Sequence, residues 1–460
     1  MDLFGTAGIR GSVETDVTPE LAVAVGRAVG REAEDGAETP ATSREPEVVI
    51  GRDGRTTGAG LAAAVEAGVL SGGASVSRIG VVPTPTLAFA SRGRRGVMLT
   101  ASHNPPGDNG IKCFLDGVEY DGDAERTVER RVEAAEGPVA WDDWGDRREG
   151  SPLSDYREAV VDYARGYGAS LGGLRVVVDC ANGMGALATP AVLRELGADV
   201  VTLHANVDGH FPGRGSKPTP DSLAGLRRFV ADGDAALGIG HDGDADRIVI
   251  VDDEGEVIHE DTVLAIVAER YVRACDVADP VVVTTPNASG RIDERVAAAG
   301  GRTERVALGA LHEGIARVRE AGGTVAFAAE PWKHIHPAFG GWIDGVVSAA
   351  VIARFVADEG FPALRDPVTE RPYRKVSVPC PDTAKAATME HLATALPEAF
   401  PEASVDTTHG VRLDRPDGSW VLVRPSGTEP YVRLYAESEA VDELIADARA
   451  VIERAVEGSS

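Results

Sequence analysis

Short runs of apolar residues recur along the chain and alternate with stretches of helical apolar spacing. The clearest runs are EVVIGRD, RGVMLTAS, LRVVVDC, DVVTLHA, DRIVIVDDEG, PVVVTTP and TVAFAAE. Buried strands that alternate with helices are typical of βαβ units and of a mainly parallel sheet. The pattern therefore predicts an α/β fold.

The length of the chain predicts several domains. At about 100 to 200 residues per domain, 460 residues would form three or four compact units. Pro- and acid-rich stretches near 136–156 and 358–374 are typical of linkers, and the turn DDEGE near 254 indicates a further boundary. We therefore expect domains over the residue ranges 1–150, 151–254, 255–368 and 369–460.

The last segment differs from the rest in its pattern. The runs WVLVRP and YVRLYAE flank a loop, and VDELIADARAVIERAVEG has the apolar spacing of a helix. Two adjacent strands followed by one long helix predict a small α+β unit at the end of the chain.

The charge balance is strongly acidic, with a formal net charge of −27 from 73 acidic and 46 basic residues. Such a surface repels phosphate backbones and anionic membranes, so neither nucleic acid nor a membrane is expected as a partner. Five of the basic residues are Lys and 41 are Arg. An acidic, Lys-poor surface predicts adaptation to a halophilic, high-salt cytoplasm. A GC-rich genome and an ordinary acidic pI would explain the same composition.

Neither export nor membrane insertion is indicated. The opening MDLFGTAGIRGS lacks the apolar core of a signal peptide, and no run approaches the roughly 18 apolar residues of a membrane span. The cysteines are widely spaced without a C-x-x-C pair, which argues against both a zinc site and a disulfide framework. We expect a cytoplasmic protein with buried thiols at Cys113, Cys180, Cys275 and Cys380.

The first candidate loop is TASHNPPGDNGIKCF, residues 100–114, which follows an apolar strand. A Ser in a Pro- and Gly-rich turn at a strand end lies where βα loops collect ligands, so Ser102 is a candidate nucleophile. His103 and the rare Lys112 lie close by in sequence. The alternative is a hydrogen-bonded turn without catalytic function.

The second candidate loop is GIGHDGDADRIVIVD, in which Asp242, Asp244 and Asp246 alternate with small residues after an apolar strand. Three close carboxylates repel one another unless a cation neutralises them, and oxygen ligands favour Mg²⁺ or Ca²⁺ over zinc. An EF-hand-like calcium loop fits poorly, since Arg247 replaces the expected Gly and Asp253 the expected Glu. A solvated acidic turn is the other alternative.

The third candidate loop is VRPSGTEPYVRLY, residues 423–435. Backbone N–H groups, hydroxyls and two guanidinium groups can enclose a phosphate through charge-assisted hydrogen bonds. The candidate phosphate ligands are Arg424, Ser426, Gly427, Thr428 and Arg433. An Arg-rich, solvent-exposed hairpin edge is the alternative.

Two other functions compete with a phosphate-handling enzyme. In LRVVVDCANGMGALA, residues Gly183, Gly185 and Ala188 fit the G-x-G-x-x-A pattern of an NAD-dependent oxidoreductase. A non-enzymatic module that binds calcium or a sugar phosphate is the second competitor. The dinucleotide pattern leaves the three loops above unexplained.

Four motifs together resemble the α-D-phosphohexomutase family, which includes phosphoglucosamine mutases, phosphomannomutases and phosphoglucomutases. They are FGTAGIRG at 4–11, TASHNPPGDNGIK at 100–112, DGDADR at 242–247 and RPSGTEPYVR at 424–433. The resemblance implies four domains around a central cleft. Three would be related α/β domains with mixed, mostly parallel sheets, and the fourth a smaller C-terminal α+β domain.

The resemblance also implies the roles of the site residues. Ser102 would carry the phosphoryl group, and Asp242, Asp244 and Asp246 would hold Mg²⁺ together with a phosphoserine oxygen. The groups around the transferring phosphoryl would be Arg10, His103, Lys112 and Arg247, with Lys112 as the general acid or base. The loop that contains Arg424, Ser426, Gly427, Thr428 and Arg433 would hold the phosphate that does not move.

The reaction implied is the interconversion of hexose 6-phosphate and hexose 1-phosphate. The phosphoserine would donate to the free hydroxyl, and the resulting 1,6-bisphosphate would turn over before one phosphate returns to Ser102. Glucose or hexosamine 1,6-bisphosphate is expected to act as activator. The sequence leaves a monomer and a homodimer equally open.

One loop departs from the family pattern. Where the family usually carries Glu-x-Ser-Gly-His, this chain reads AEPWKHIHP. Glu330 and His334 keep their places as candidate ligands of sugar hydroxyls, but Trp332 and Lys333 replace the small pair. The motifs FGTAGIRG and RPSGTEP resemble the phosphoglucosamine mutase branch more than the phosphomannomutase/phosphoglucomutase branch. That resemblance implies glucosamine phosphate as substrate, with phosphomannomutase or phosphoglucomutase specificity as the alternative.

Overall fold

The computed structural model describes residues 3–5, 8–35, 46–427 and 429–459, with the side chains of 33–35 left aside. The chain forms two compact units. The first unit consists of Met1–Glu260 and Trp332–Leu364, and the second of Asp261–Pro331 and Arg365–Ser460.

A seven-stranded mixed sheet forms the first part of the first unit, in the order β1-β5-β4-β2-β3-β7, with β6 paired to β5. Strands β2, β3, β4 and β7 are parallel, whereas β5 runs antiparallel to β1 and β4. The strands are β1 (Ile9–Ser12), β2 (Glu47–Arg52), β3 (Ser75–Val81), β4 (Arg95–Leu99), β5 (Asp108–Leu115), β6 (Val118–Glu119) and β7 (Arg147–Glu149). The helices are α1 (Pro19–Asp35), α2 (Gly58–Ser71), α3 (Thr84–Ala90) and α4 (Gly122–Glu133).

A four-stranded sheet forms the second part of this unit, in the order β11-β10-β8-β9. Only the edge strand β11 is antiparallel to its neighbour. The strands are β8 (Arg175–Asp179), β9 (Asp199–Leu203), β10 (Leu237–His241) and β11 (Ile248–Val251). The helices are α5 (Leu153–Ala164), α6 (Gly185–Glu195) and α7 (Ala224–Ala231), joined by the later strand β15 (Lys333–Ile335) and helix α11 (Gly345–Glu359).

The second unit contains one parallel and one antiparallel sheet. The parallel sheet has β12 (Pro280–Thr284) between β13 (Arg302–Arg305) and β14 (Thr324–Glu330), with α8 (Glu260–Ala274), α9 (Gly290–Ala298) and α10 (Leu311–Glu320). The antiparallel sheet has the order β16-β20-β19-β18-β17. Its elements are β16 (Tyr373–Pro379), β17 (Ser404–Asp406), β18 (Val411–Asp414), β19 (Trp420–Pro425), β20 (Tyr431–Glu437), α13 (Lys385–Ala399) and α14 (Val441–Glu457), and the short helix α12 (Phe361–Arg365) precedes them.

These sheets confirm the predicted α/β class and the small C-terminal α+β unit. The apolar runs form strands because their Val and Ile side chains are buried within the sheets, as Val48, Val97 and Val177 are. Among the described helices, none combines the length and the apolar character that crossing a lipid bilayer requires.

The structure changes two details of the sequence interpretation. The predicted loop 100–114 ends early, because Asp108–Leu115 forms β5 and Lys112 therefore lies on a strand. Ile111 and Lys112 are consecutive and both buried, so β5 lacks the alternation of apolar and polar residues that would have indicated a strand. The Pro- and Gly-rich start of the segment also favoured a loop. The predicted linker 136–156 contains β7, which extends the first sheet.

The contacts of α11 bear on how the chain is divided. This helix packs against α5 and α6 and against strands β10 and β11, although it follows the third sheet in sequence. The chain thus returns to the first unit between Trp332 and Leu364. The four domain ranges expected from the sequence, 1–150, 151–254, 255–368 and 369–460, stay a prediction.

The glycines of the dinucleotide-like pattern have a packing role. A Cβ atom on Gly183 would lie 2.5 Å from the carbonyl oxygen of Gly243, and one on Gly185 would lie 3.0 Å from the His241 ring. The first contact is closer than a side chain allows and the second is tight, so the turn before α6 favours glycine where it approaches the end of β10. This contact accounts for the two glycines without a bound dinucleotide.

Arg55, which is completely buried, organises the segment that follows β4. Its guanidinium group pairs with Asp53 at 3.1 Å and donates to four backbone carbonyls. The distances are 2.9 Å to Ser102, 2.8 Å to Asn104, 2.5 Å to Pro105 and 2.9 Å to Asp108. Burial raises the pKa of Asp53 to about 6, although Arg55 and the Thr100 hydroxyl act in the opposite direction. One cation therefore fixes the path of residues 102–108.

We expect Arg55→Met to lower the free energy of unfolding by about 3 to 5 kcal/mol, because it leaves the Asp53 carboxylate buried without its partner. The matched control is Arg52→Met at the end of β2. Among the described residues, this variant loses one side-chain hydrogen bond, to the Asp53 carbonyl. That variant should lose about 1 kcal/mol. Urea unfolding measures both, and equal losses in the two variants would contradict the role of Arg55.

Candidate active site

Ser102 lies just beyond the carboxyl end of β4 and is fully buried. Its backbone is in the left-handed region with φ 51°, which is uncommon for a residue other than glycine. The Ser102 amide donates to the Thr100 hydroxyl at 2.9 Å, and its carbonyl accepts from Arg55. The Ser102 hydroxyl donates to Asp242 Oδ2 at 2.5 Å, and His103 Nδ1 lies 3.3 Å away. A strained residue held on both sides is typical of a functional position.

The acidic triad is formed by Asp242, Asp244 and Asp246 at the carboxyl end of β10. All three side chains are buried, and one oxygen from each lies within 4.8 Å of those of the other two. Glycine separates the first two because a Cβ atom on Gly243 would lie 2.5 Å from the Ser102 carbonyl oxygen. The triad and Ser102 therefore belong to one site in the first unit.

Hydrogen bonds leave two oxygens of the triad without partners. Asp244 Oδ2 accepts from the Thr84 hydroxyl at 2.6 Å, and Asp246 Oδ2 accepts from Lys112 Nζ at 2.9 Å. The other oxygens of Asp244 and Asp246 are buried and accept no hydrogen bond from the described residues. Such atoms are costly unless a ligand contacts them. Because hard dications prefer carboxylate oxygens, the donor set fits Mg²⁺.

The charges within the triad are uneven. Burial and the charges of Asp246 and Asp244 hold the pKa of Asp242 well above its usual range. Burial acts on Asp246 in the same direction, but Lys112 and Arg247 overcome it and hold the pKa of Asp246 below its usual range. Asp242 therefore has the highest proton affinity of the two, and a bound dication would relieve the same repulsion.

Cationic groups surround the triad. Lys112 Nζ lies 3.7 Å from Asp244, and Asp246 and Glu119 raise the pKa of Lys112 above its usual value despite its burial. Arg247 Nε lies 3.9 Å from Asp242 Oδ2 and 3.8 Å from Asp246 Oδ1. The raised pKa keeps the Lys112 ammonium group charged, so it can act as a cation beside the triad.

Arg10 and His103 complete this group. Arg10 lies on β1, paired with Gly110 of β5, and its Nε atom is buried without a hydrogen-bond partner among the described residues. Arg247 Nε is in the same state. Burial, together with the charges of Arg247 and Arg10, lowers the pKa of His103 to about 3, so its imidazole is neutral at pH 7. Two buried guanidinium nitrogens that make no hydrogen bond to the described residues favour an anion at this position.

The stretch AEPWKHIHP, which differs from the family pattern, contains Trp332 in the left-handed region with φ 70°. This value is an outlier for a bulky residue. The Trp332 carbonyl accepts from the Ile248 amide, and Lys333 forms a β-bridge with Arg247. The charge of Lys333 is also felt at Asp246, where it lowers the pKa. The loop thus brings a lysine to the edge of the triad.

The two predicted sugar ligands have different surroundings. Glu330 ends β14 in the second unit, where its carboxylate accepts from the Gly309 amide at 2.5 Å. His334 belongs to the first unit and is buried, with Nδ1 3.0 Å from the Ser348 hydroxyl. His336 shares the same hydroxyl at 2.9 Å. Burial lowers the pKa of His334 to about 3, so its ring is neutral.

The loop between β19 and β20 lies in the second unit. Arg424 and Arg433 occupy directly paired positions on the two strands, where like charges repel. Arg424 Nη2 donates to the Tyr435 hydroxyl at 3.1 Å, and Arg433 Nη2 donates to Glu429 at 2.8 Å. Paired guanidinium groups beside a turn favour a bound anion. Of the other predicted ligands, Ser426 is buried, Gly427 is exposed and Thr428 lies outside the described residues.

Sequence reasoning missed the residues that hold these loops in place. Arg55 and Asp53 position the segment after Ser102, Thr84 binds Asp244, and Lys385 binds the loop after β19. Lysine is rare in this chain, which could have drawn attention to Lys385. Arg55 carried no such signal, because arginine is abundant.

Three family models match the chain. The models for phosphoglucomutase/phosphomannomutase α/β/α domain I, α/β/α domain II and the C-terminal domain match residues 1–138, 155–255 and 376–455. These ranges include Ser102, the acidic triad and the loop after β19, respectively.

Curated relatives match along nearly the whole chain. A phosphopentomutase from Thermococcus kodakarensis is 40% identical over 468 residues, which cover 99% of this chain and 99% of the relative. A probable phosphoglucosamine mutase from Methanopyrus kandleri is 42% identical over 447 residues, which cover 95% of this chain and 94% of the relative.

A solved structure has the same fold. It is a phosphoglucomutase/phosphomannomutase family protein from Burkholderia thailandensis, with a TM-score of 0.86 and 26% sequence identity over 100% of this chain and 98% of that chain. The matching models, full-length relatives and fold show that the chain belongs to the α-D-phosphohexomutase family, whose enzymes are intramolecular phosphotransferases acting on sugar phosphates.

Proposed function

We propose that the chain moves a phosphoryl group between two positions of a sugar phosphate through a phosphoserine at Ser102. The observation that carries this proposal is the 2.5 Å contact of the Ser102 hydroxyl with Asp242, within a buried acidic triad and beside several cations. Phosphoryl transfer depends mainly on positioning and on neutralising charge, and these groups supply both.

Mg²⁺ is the proposed metal, held by Asp242, Asp244, Asp246 and an oxygen of the Ser102 phosphate. When bound, it would neutralise charge that develops on the transferring phosphoryl group. The two buried oxygens without hydrogen-bond partners support this assignment. Thr84 orients Asp244, and Lys112 orients Asp246.

The transfer itself uses residues of the first unit. The bond between phosphorus and the Ser102 oxygen breaks while a bond forms to the free sugar hydroxyl, which loses its proton. Arg10, Arg247 and the neutral His103 bind the equatorial phosphoryl oxygens. Lys112 is the proposed general acid or base on the basis of the resemblance alone. Its raised pKa keeps the ammonium group charged, which supports a role in neutralising charge on the phosphoryl group.

The second phosphate is held by the loop after β19. Arg424, Ser426, Gly427 and Arg433 would bind it, and Thr428 joins them on the basis of the resemblance alone. Glu330 and His334 are the proposed ligands of the sugar hydroxyls. The bisphosphate intermediate turns over so that either phosphate can return to Ser102, and glucose or hexosamine 1,6-bisphosphate would prime the enzyme.

Glucosamine phosphate is the first candidate substrate. It is supported by the resemblance of two motifs to phosphoglucosamine mutases and by the name of the Methanopyrus relative. A neutral sugar phosphate, either a hexose or a pentose phosphate, is the second. It is supported by the name of the Thermococcus relative and by Lys333, whose charge lies at the edge of the triad. A sugar ammonium group near Lys333 would be repelled, whereas a hydroxyl would not.

Incubation with glucose 1,6-bisphosphate should add one phosphoryl group to the purified protein. Intact-mass analysis and peptide mapping measure the adduct, which should lie on Ser102 and be absent from Ser102→Ala. Ser216→Ala is the matched control, because Ser216 is also buried and its hydroxyl donates to the Asn104 carbonyl. This variant should still accept the phosphoryl group. An adduct that persists in Ser102→Ala would refute the phosphoserine assignment.

Asp244→Asn should reduce turnover by about 100-fold or more, because it removes a charged ligand from the metal site. Manganese binding followed by electron paramagnetic resonance should weaken in parallel. Asp252→Asn is the matched control, since Asp252 is a buried turn residue whose Oδ1 accepts from two backbone amides. Full activity of Asp244→Asn in the presence of EDTA would exclude the proposed metal role.

Substrate choice is tested by comparing the 1-phosphates of glucosamine, glucose, mannose and ribose. We expect Lys333→Met to raise kcat/KM for glucosamine 1-phosphate relative to glucose 1-phosphate by about 5- to 10-fold, as loss of one nearby charge predicts. The control Lys217→Met removes a charge that lies near His103 instead. If both variants leave the ratio unchanged, Lys333 does not select the substrate.

A further inference from the structure

Lysine is used sparingly in this chain, with five lysines against 41 arginines. The charges of Lys112 and Lys333 lower the pKa of Asp246, and the charge of Lys217 lowers the pKa of His103. The remaining two lie in the part of the second unit that contains the antiparallel sheet. Lys375 approaches the ring of Tyr435, and Lys385 begins helix α13. Lys385 contacts the loop after β19 directly.

The ammonium group of Lys385 gathers two carbonyls of that loop. Nζ donates to the Ser426 oxygen at 2.7 Å and to the Glu429 oxygen at 2.7 Å, and it pairs with Asp382 Oδ1 at 2.6 Å. An ammonium group has three N–H donors, so these contacts use all of them. The Lys385 side chain is 14% exposed, whereas that of Asp382 is 73% exposed.

The contact with Ser426 sets the direction of the next amide. In a trans peptide the C=O and the N–H point in opposite directions, and the described residues include no cis peptide bond. Because the Ser426 carbonyl points to Lys385, the Gly427 N–H points away from it. A Cβ atom on Gly427 would meet nothing within 4 Å, so the loop is open at this residue.

Other hydrogen bonds fix the ends of the same loop. The Ser426 amide donates to the Tyr431 carbonyl at 3.0 Å, and the Tyr431 amide donates to the Glu429 carbonyl at 2.8 Å. Arg433 is tied to the Glu429 side chain at 2.8 Å. Lys385 thus holds the carbonyls of Ser426 and Glu429, and the position of the Ser426 carbonyl determines where the Gly427 N–H points.

We propose that Lys385 is a positioning residue that holds the Ser426–Glu429 turn in the form that binds the stationary phosphate of the substrate. This inference rests on the proposed function of that loop. Lys385 acts through the backbone and does not itself contact the phosphate. A compact ammonium group suits this role better than a planar guanidinium group, whose donors have a fixed fork geometry.

The test compares Lys385→Met with Asp382→Asn in the full-length protein. Lys385→Met should raise KM for the sugar 1-phosphate about 10- to 100-fold, as expected for the loss of charged hydrogen bonds. Its kcat should stay within about 3-fold, because the groups around Ser102 are unchanged. Asp382→Asn keeps both carbonyl contacts and should leave KM within about 2-fold. Lys385→Arg should fall between wild type and Lys385→Met.

Calorimetric titration with glucose 6-phosphate gives the dissociation constant without requiring turnover. An unchanged dissociation constant in Lys385→Met overturns the role of Lys385, whether or not the protein turns over. An equal weakening in Asp382→Asn also overturns it, since the ion pair would then be the cause. The same titration is made with glucosamine 6-phosphate. Wild-type protein that binds either sugar 6-phosphate but converts no sugar phosphate contradicts the proposed function alone, and absence of binding of both contradicts both proposals.

Discussion

Three carboxylates are buried beside one serine hydroxyl, and this arrangement is the constraint on which the site depends. Carboxylates so close together repel one another, and burial increases the cost of their charge. Lys112 and Arg247 offset part of that cost at Asp246, but one oxygen each of Asp244 and Asp246 accepts no hydrogen bond from the residues that the structure describes. The fold therefore keeps three mutually repelling carboxylates close together, with two oxygens that a dication can contact. The same dication would bring a phosphorylated Ser102 into contact with the triad.

The loops that carry the chemistry are held by cations that bind backbone carbonyls. Arg55 fixes the segment after Ser102 through four carbonyl oxygens, and Lys385 fixes the turn after Ser426 through two. Arg55 is completely buried and Lys385 is half-buried, and each has its counterion close in sequence, Asp53 for Arg55 and Asp382 for Lys385. Such supports orient reactive groups before the substrate arrives, which lowers the cost of ordering them during the reaction.

Much of the fold could be predicted because its strands are apolar runs bounded by turns. The same holds for Ser102 and the acidic triad, since their residue types occur at strand ends and in an unusual spacing. The strand around Lys112 was missed because a Pro- and Gly-rich turn precedes it directly. Arg55 could not be identified, since nothing in the sequence shows that its side chain would reach carbonyls about 50 positions away. The return of residues 332–364 to the first unit likewise depends on packing between distant segments.

The central claim is that the triad and the Ser102 phosphate share one metal ion. A crystal structure of the phosphorylated protein grown with Mn²⁺, measured at the manganese absorption edge, tests this directly. We expect one anomalous peak, which marks a manganese ion bound by oxygens of Asp242, Asp244 and Asp246 and by one phosphate oxygen on Ser102. A phosphorylated Ser102 that faces away from the triad, or a triad that binds no manganese, would contradict it.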